Sequence, residues 1–347
     1  MHGLFSLTSN IPYFEWMLRS FRTSENPNGR LSFRFQLEPH LRVSTVNKER
    51  INIMFYHNSS DNSIEVDYPW FRPICAKLTF DEDNRRYTFA FNKNYLRVSQ
   101  FIGGGWRPIS ILRTLLQMNL VRNNMLMMHG GVVRIGDEGI LMPSVENTGK
   151  TKTVWMLAKR GAQYVTDEYS IIDSEGHCYG IPSSSSLTPA TATAVGLNVT
   201  RREKTALILA GLKGKALTVH FTSGGMRMDP NRFFKICSET HLNRIAIIQN
   251  GPDLTRRIRT EEALSRIKAT QLFEFGWKTH PYLLAYAYFN PEFEVDSYSS
   301  QEDDVLKSVV SRIQDIYLVS SSNREHYRSI ENLFLDRRHE VATSISA

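Results

Sequence analysis

The stretch PSVENTGKTKT, Pro143–Thr153, decides how the chain is read. Its end, Gly149, Lys150 and Thr151, supplies what a phosphate-cradling loop needs: a glycine, an ammonium group to reach the terminal phosphates and a hydroxyl for a divalent cation. Such a loop turns backbone N–H groups inward at the start of a helix, where the helix dipole favours an anion. The flanks suit this. EGILMPS reads as an apolar strand, and Thr148 to Arg160 reads as a helix closed by Gly161. Ser144 stands where the first glycine of such a loop ordinarily sits. Serine tolerates positive φ poorly, so the start of the loop is expected to have a different shape. Glu146 adds a negative charge beside the anion site. By itself the motif leaves open a capped surface helix that happens to contain GKT.

Two features on either side sharpen the reading. His129 begins the strand before the loop, after the apolar run MLMM. Asp167 and Glu168 fall within AQYVTDEYSIID, read as one strand after the helix and before the turn SEGH. Paired carboxylates beside a phosphate site can divide two jobs, one holding magnesium and the other accepting a proton from an attacking hydroxyl. Taken singly, His129 is equally a partly buried structural histidine, and the carboxylates an acidic strand end facing water.

Together, the residues MHGGVVRIGDEGILMPSVENTGKTKTVWMLAKRGAQYVTDE resemble the catalytic core of the HPr kinase/phosphorylase superfamily. The resemblance lies in an HG strand start, a short hairpin, the phosphate loop, a helix ending in RG and an acidic pair. It is strong over residues 128–172 and weaker to about 335. It implies an α/β fold: a P-loop core of the HPr kinase/phosphoenolpyruvate carboxykinase type over residues 123–340, preceded by a mainly β section over 1–122. It also implies a kinase that uses ATP and Mg2+ to transfer the γ-phosphoryl group to a hydroxyl on a protein, a peptide or a small molecule. Ser144, Asn147, Thr148, Gly149, Lys150, Thr151 and Lys152 then form the cradle. Lys150 spreads charge off the transferring group, Thr151 and Glu168 hold magnesium, Asp167 is the base, and His129 orients phosphate or Asp167. Relatives of this kind often self-assemble, so a homo-oligomer is among the expectations. The chain departs from the family at Ser144, at Glu168 in place of a second aspartate, and in lacking the downstream signature of the phosphorylase reaction. A nucleotide-binding regulatory module without phosphoryl transfer remains the alternative. A carboxykinase reaction on a small keto acid is disfavoured by the short chain.

Bulk properties narrow the classes. A hydrophobic content of 41% and charge of 22% over 347 residues describe a globular protein with ample material for a core. The net charge is +7, but basic residues are dispersed, with no run longer than RREK or RRIR, so nucleic acid is not an expected partner. Arg256, Arg257 and Arg259 read either as a solvated positive loop or as a further clamp on phosphate. Cys75, Cys178 and Cys237 are too few and too scattered for a disulfide framework or a zinc site. No stretch approaches the roughly 20 apolar residues that span a bilayer, and no signal peptide is read at the start, so a cytoplasmic setting is expected.

The remaining elements follow from periodicity. LSFRFQLEP, INIMFYH, SIEVDY, AKLTFDE and YTFAFN alternate as strands, and ISILRTLLQMNLV has helical spacing. PSSSSLTPATAT reads as a loop, and ALTVHF and RIAIIQ as strands. TEEALSRIKATQLF reads as a helix with Thr260 as its N-cap, and DDVLKSVVSRIQDIY and HYRSIENLFLDRR read as helices.

Overall fold

The computed structural model describes residues 5–11, 31–44, 48–68, 73–102, 107–181, 185–216 and 226–334. Their strands are β1 (Ser6–Ser9), β2 (Ser32–Leu37), β3 (Glu49–Arg50), β4 (Phe55–Asn58), β5 (Ser63–Tyr68), β6 (Ile74–Asp81), β7 (Arg86–Phe91), β8 (Met125–Ile135), β9 (Glu138–Pro143), β10 (Gln163–Thr166), β11 (Tyr169–Asp173), β12 (His177–Gly180), β13 (Ser185–Leu187), β14 (Met226–Met228), β15 (Glu239–Asn250), β16 (Leu254–Arg257) and β17 (Asp315–Ser321). Their helices are α1 (Lys93–Ile102), α2 (Pro108–Val121), α3 (Lys150–Lys159), α4 (Pro189–Val195), α5 (Arg201–Ala216), α6 (Thr260–Glu274), α7 (Pro281–Phe289), α8 (Val295–Arg312) and α9 (His326–Phe334). The protein is thus mixed α/β, with two large sheets and a two-stranded ribbon of β13 and β14.

The chain divides into two compact units. The first takes Met1–Asn123 and Gly276–Glu302, and the second takes Asn124–Phe275 and Asp303–Ala347. The sequence reading draws a single boundary and contains no such excursion. In the first unit the sheet order is β1-β2-β7-β6-β5-β4-β3. Alternation in β2 and β7 turns Phe33, Phe35, Tyr87, Phe89 and Phe91 to the interior. The returning segment completes this aromatic core, with the Tyr282 ring 5.4 Å from Phe55 and 5.5 Å from Phe89. Glu302 anchors it by accepting from Gln117 Nε2 at 2.6 Å and Trp277 Nε1 at 3.1 Å. Burying those rings is the physical reason the excursion returns to the first unit.

The second unit is a sheet with helices on both faces. Strands β9, β15 and β17 run parallel, and β16 is an antiparallel edge. Side chains alternate between the two faces. Ile140, Met142, Ala246, Ile248, Tyr317 and Val319 pack with α3 and α9, while Leu141, Ile245, Ile247, Ile316 and Leu318 pack with α6 and α8. Trp155 of α3 is fully buried against Tyr164, Phe233 and Phe234. Truncating such a side chain to alanine costs about 3–5 kcal/mol. Strands β8, β11, β12, β15 and β9 also pair in a closed circuit, each bonded to the next and β9 back to β8.

Several local expectations need correction. AQYVTDEYSIID is two strands, because β10 and β11 pair successive parts of β8 with a break at Asp167 and Glu168. PSSSSLTPATAT is not a loop where it is described. It holds β13 and then α4, whose first turn is fixed by Pro189 and by Thr188 Oγ1 accepting from Thr191 N at 3.1 Å. Thr260 is the first residue of α6 rather than its cap. The strand pairing extends through Ile258, whose N–H donates to Ile316 O at 2.9 Å, leaving Arg259 as the capping position. In DDVLKSVVSRIQDIY the helix ends at Arg312 and the rest opens β17. Of ALTVHF, residues 217–221 lie outside the described residues, as does LDRR at the end of the last predicted helix.

Candidate functional site

The carboxyl ends of parallel strands are where open α/β sheets present loops to ligands. Here β9 ends at Pro143, β15 at Asn250 and β17 at Ser321, so the Ser144–Gly149 loop lies at that edge. Asn250 Nδ2 donates to Asn147 O at 3.4 Å, tying two of these ends together.

The loop is left-handed at two positions, Asn147 (φ 63°) and Gly149 (φ 96°). The second falls on the residue type that adopts it without steric cost. Helix α3 therefore begins at Lys150, two residues later than the sequence reading placed it, and no side chain caps its N–H groups. Its other end is sealed by a Schellman motif, with Gly161 N donating to Ala158 O at 3.2 Å and Ala162 N to Leu157 O at 3.1 Å. Gly131 of β8 permits the helix to dock. A Cβ there would stand 2.5 Å from Val154 Cγ2 and 3.3 Å from Lys150 Cγ.

Lys150 is buried, and its ammonium lies 2.8 Å from His129 Nε2. An ammonium can only donate, so Nε2 accepts and the imidazole proton sits on Nδ1, 3.9 Å from Glu274 Oε2. Burial pushes the Lys150 pKa down to about 8, against the opposing pull of Glu168, Asp167, Glu274 and Glu146. Among the described residues no carboxylate lies within ion-pair distance of Lys150. His129 is itself fixed by α6. Its backbone N–H donates to Gln271 Oε1 at 2.8 Å, and Gln271 Nε2 donates to Met127 O at 2.8 Å.

Asp167 lies at the break between β10 and β11, buried, with its pKa raised chiefly by loss of solvent. Tyr164 Oη donates to its Oδ1 at 2.8 Å, and Ser185 stands 3.2 Å from the same hydroxyl. Glu168 is less buried, and its carbonyl accepts from Gly130 N at 3.0 Å. His129 and Lys150 are thus in direct contact, whereas Asp167 and Glu168 couple to Lys150 through their charge.

The other predicted cradle residues have distinct settings. Ser144 is buried, and its Oγ has no hydrogen-bond partner among the described residues. Thr148 Oγ1 is spent inside the loop, donating to Val145 O at 2.9 Å. Thr151 is half-buried in the first turn of α3, and Lys152 Nζ lies 4.0 Å from Glu325 Oε1. Arg256 and Arg257 do not point at this loop as a clamp, because Glu262 holds the first and Asp315, with Gln314 O, holds the second.

Sequence reasoning missed Glu274. Its Oε1 accepts from Glu146 N at 2.5 Å, so a carboxylate from α6 already sits on one loop amide. Its pKa is raised, chiefly by burial. A signal was present, since a carboxylate in the last turn of a helix opposes the dipole and needs another reason to be there. Tyr164 and Ser185 were missed because nothing in their spacing links them to Asp167. A separate cavity of about 260 Å³ opens at the amino ends of the same strands, beside Glu138, His241 and Arg244. Its Arg244 is already paired with Glu138 at 2.8 Å.

No protein-family model matches the chain, and a search of curated proteins gives no match.

Proposed function

We propose that the second unit is an ATP-dependent phosphotransferase of the HPr-kinase-like type, with the Ser144–Thr151 loop as its P-loop and a hydroxyl as acceptor. The observation that carries this reading is the buried Lys150 ammonium, which starts a helix, has no carboxylate partner among the described residues and rests on His129. A buried cation under the pull of four carboxylates without pairing to any of them is what a charge kept for an incoming anion looks like. The fit of a phosphate chain is supported by the left-handed Gly149, which opens the N-terminus of α3, and by the orphaned Ser144 Oγ.

In this mechanism Lys150 and the amides of α3 neutralise the terminal phosphates, and His129 holds Lys150 in place until the phosphate takes over its proton contacts. Asp167 accepts the proton of the acceptor hydroxyl. The acceptor oxygen bonds to the γ-phosphorus, and the bond to the β–γ bridging oxygen breaks with its electron pair leaving on ADP. The raised pKa suits Asp167 to that role, since a desolvated carboxylate is the stronger base. Thr151 and Glu168 would hold Mg2+, which would supply neutralisation of charge on the phosphate chain. The acceptor is a hydroxyl of a protein, a peptide or a small molecule.

Incubation with γ-labelled ATP and a panel of hydroxyl-bearing peptides and metabolites tests the proposal. Label transfer that requires Lys150 and Asp167 supports it, and nucleotide binding with no transfer to water or any acceptor removes the kinase reading. That second outcome belongs to a regulatory nucleotide-binding module, a reading favoured by the Glu274 carboxylate already seated on a loop amide.

A further inference from the structure

We propose that Arg324 is a second phosphate-contacting cation, supplied to the loop by the turn between β17 and α9. The inference rests on the phosphate-binding reading of that loop. Arg324 adopts φ 56°, a left-handed conformation that glycine accepts freely and asparagine at little cost. Asparagine is available next door at Asn323, yet the position is given to arginine.

The turn is pinned on both sides. Ser322 N donates to Asp253 Oδ1 at 2.8 Å, and Glu325 N donates to Ser321 Oγ at 3.1 Å. His326, fully buried, lies 2.8 Å from Gln249 O through Nε2, which must carry the proton because a carbonyl only accepts. The turn lays the stem of Arg324 across the loop. A Cβ built on Gly149 would meet Arg324 Cβ at 2.9 Å, Cγ at 3.5 Å and Cδ at 3.6 Å. The guanidinium follows Cδ by one bond, so it is carried to the N-terminal side of α3.

The guanidinium is also kept without a counter-ion. Its neighbour Glu325 serves Arg328 Nε at 3.0 Å and Lys152 Nζ at 4.0 Å. Among the described residues no ion pair forms on Arg324, which is exposed. A guanidinium presents a planar fork of donors that matches phosphate oxygens. A solvated surface arginine needs neither the left-handed backbone nor the stem packed over the glycine. Lys150 from below and Arg324 from above then bracket a polyphosphate chain, whereas a nucleoside monophosphate reaches fewer of these charges.

The test is calorimetric titration of ATP, AMP and inorganic tripolyphosphate into the wild-type chain and into Arg324→Ala, Arg324→Gln and Arg328→Ala, with thermal melting as the check on folding. The expected result is a loss of about 10–100-fold in ATP and tripolyphosphate affinity for both Arg324 variants. AMP affinity stays within about twofold, and Arg328→Ala changes none of the three. ATP binding within about twofold of wild type in a folded Arg324→Gln overturns the proposal while leaving the phosphate reading of the loop intact. Equal weakening of ATP and AMP also overturns it. A wild-type chain that binds neither ATP nor tripolyphosphate removes the phosphate reading, and Arg324 falls with it.

Discussion

The Lys150 ammonium donates to Nε2 of His129 across 2.8 Å, with both side chains buried. Two groups that each tend to carry positive charge have been folded against one another, and the arrangement holds only while the imidazole remains the acceptor.

Replacing Lys150 with methionine keeps the stem and removes the charge. Burial lowers the lysine pKa from 10.5 to about 8, so the native chain binds fewer protons than the unfolded one between those values. Stability therefore rises with pH through that window, and below about pH 8 the full penalty, about 3 kcal/mol, is present. Lys150→Met should raise the melting temperature at pH 7, flatten its rise between pH 8 and 10, and abolish nucleotide binding. A lower melting temperature would show that the His129 contact outweighs desolvation.

Nucleotide affinity should fall as pH rises through the same lysine. With a pKa of about 8, the ammonium fraction drops about tenfold from pH 7 to pH 9, and ATP affinity measured without changing salt should follow it. The groups facing it are His129, Glu168, Asp167, Glu274 and Glu146. Affinity flat to pH 9.5 would remove Lys150 from the phosphate contact.

Glu274→Gln should move this alkaline limb to lower pH. The Glu274 charge supports the lysine proton, so its loss weakens the ammonium, while the amide oxygen still accepts from Glu146 N. A limb unchanged in position, from a pH series of ATP titrations, would show that Glu274 is electrostatically remote.

Asp167→Asn should leave ATP binding within a few-fold and stop transfer. Tyr164→Phe gives a finer readout. The Tyr164 hydroxyl stabilises the carboxylate by donating to it, so its removal should shift the acid limb of the rate profile to higher pH, and an unmoved limb would separate Asp167 from the proton transfer. Loss of nucleotide binding in Asp167→Asn would instead assign the carboxylate to the metal.

Gly149→Ala should lower stability by about 1–3 kcal/mol, because the new methyl group meets both a left-handed backbone and Arg324 Cβ. Thermal or urea unfolding measures this. An unchanged midpoint would mean that the turn after β17 yields easily.

Strands β9 and β15 were legible because EGILMPS and RIAIIQ are short apolar runs, whereas β17 was not, since DDVLKSVVSRIQDIY carries a helical pattern past Arg312 into Asp315–Tyr317. Lys150 and His129 were both picked out as site residues, but their direct contact was not, because His129 was read as a partner of phosphate or Asp167. What stayed hidden was long-range. Nothing local marks Tyr282 as a partner of Phe89, or Glu274 as a partner of Glu146, because those pairings exist only once distant strands are in register. The break at Asp167 was hidden for a different reason. AQYVTDEYSIID is apolar enough to continue as one strand, and only the change of partner along β8 interrupts it.

The parallel placement of β17 beside β15 has a consequence for synthesis. The Ser144–Thr151 segment leaves the ribosome long before Glu274 and Arg324, the residues that close over it. At about 5–20 residues per second, the nascent chain spends on the order of 10–30 s with that segment uncovered. The loop is therefore open through much of elongation, and its cover arrives only with segments that follow β15.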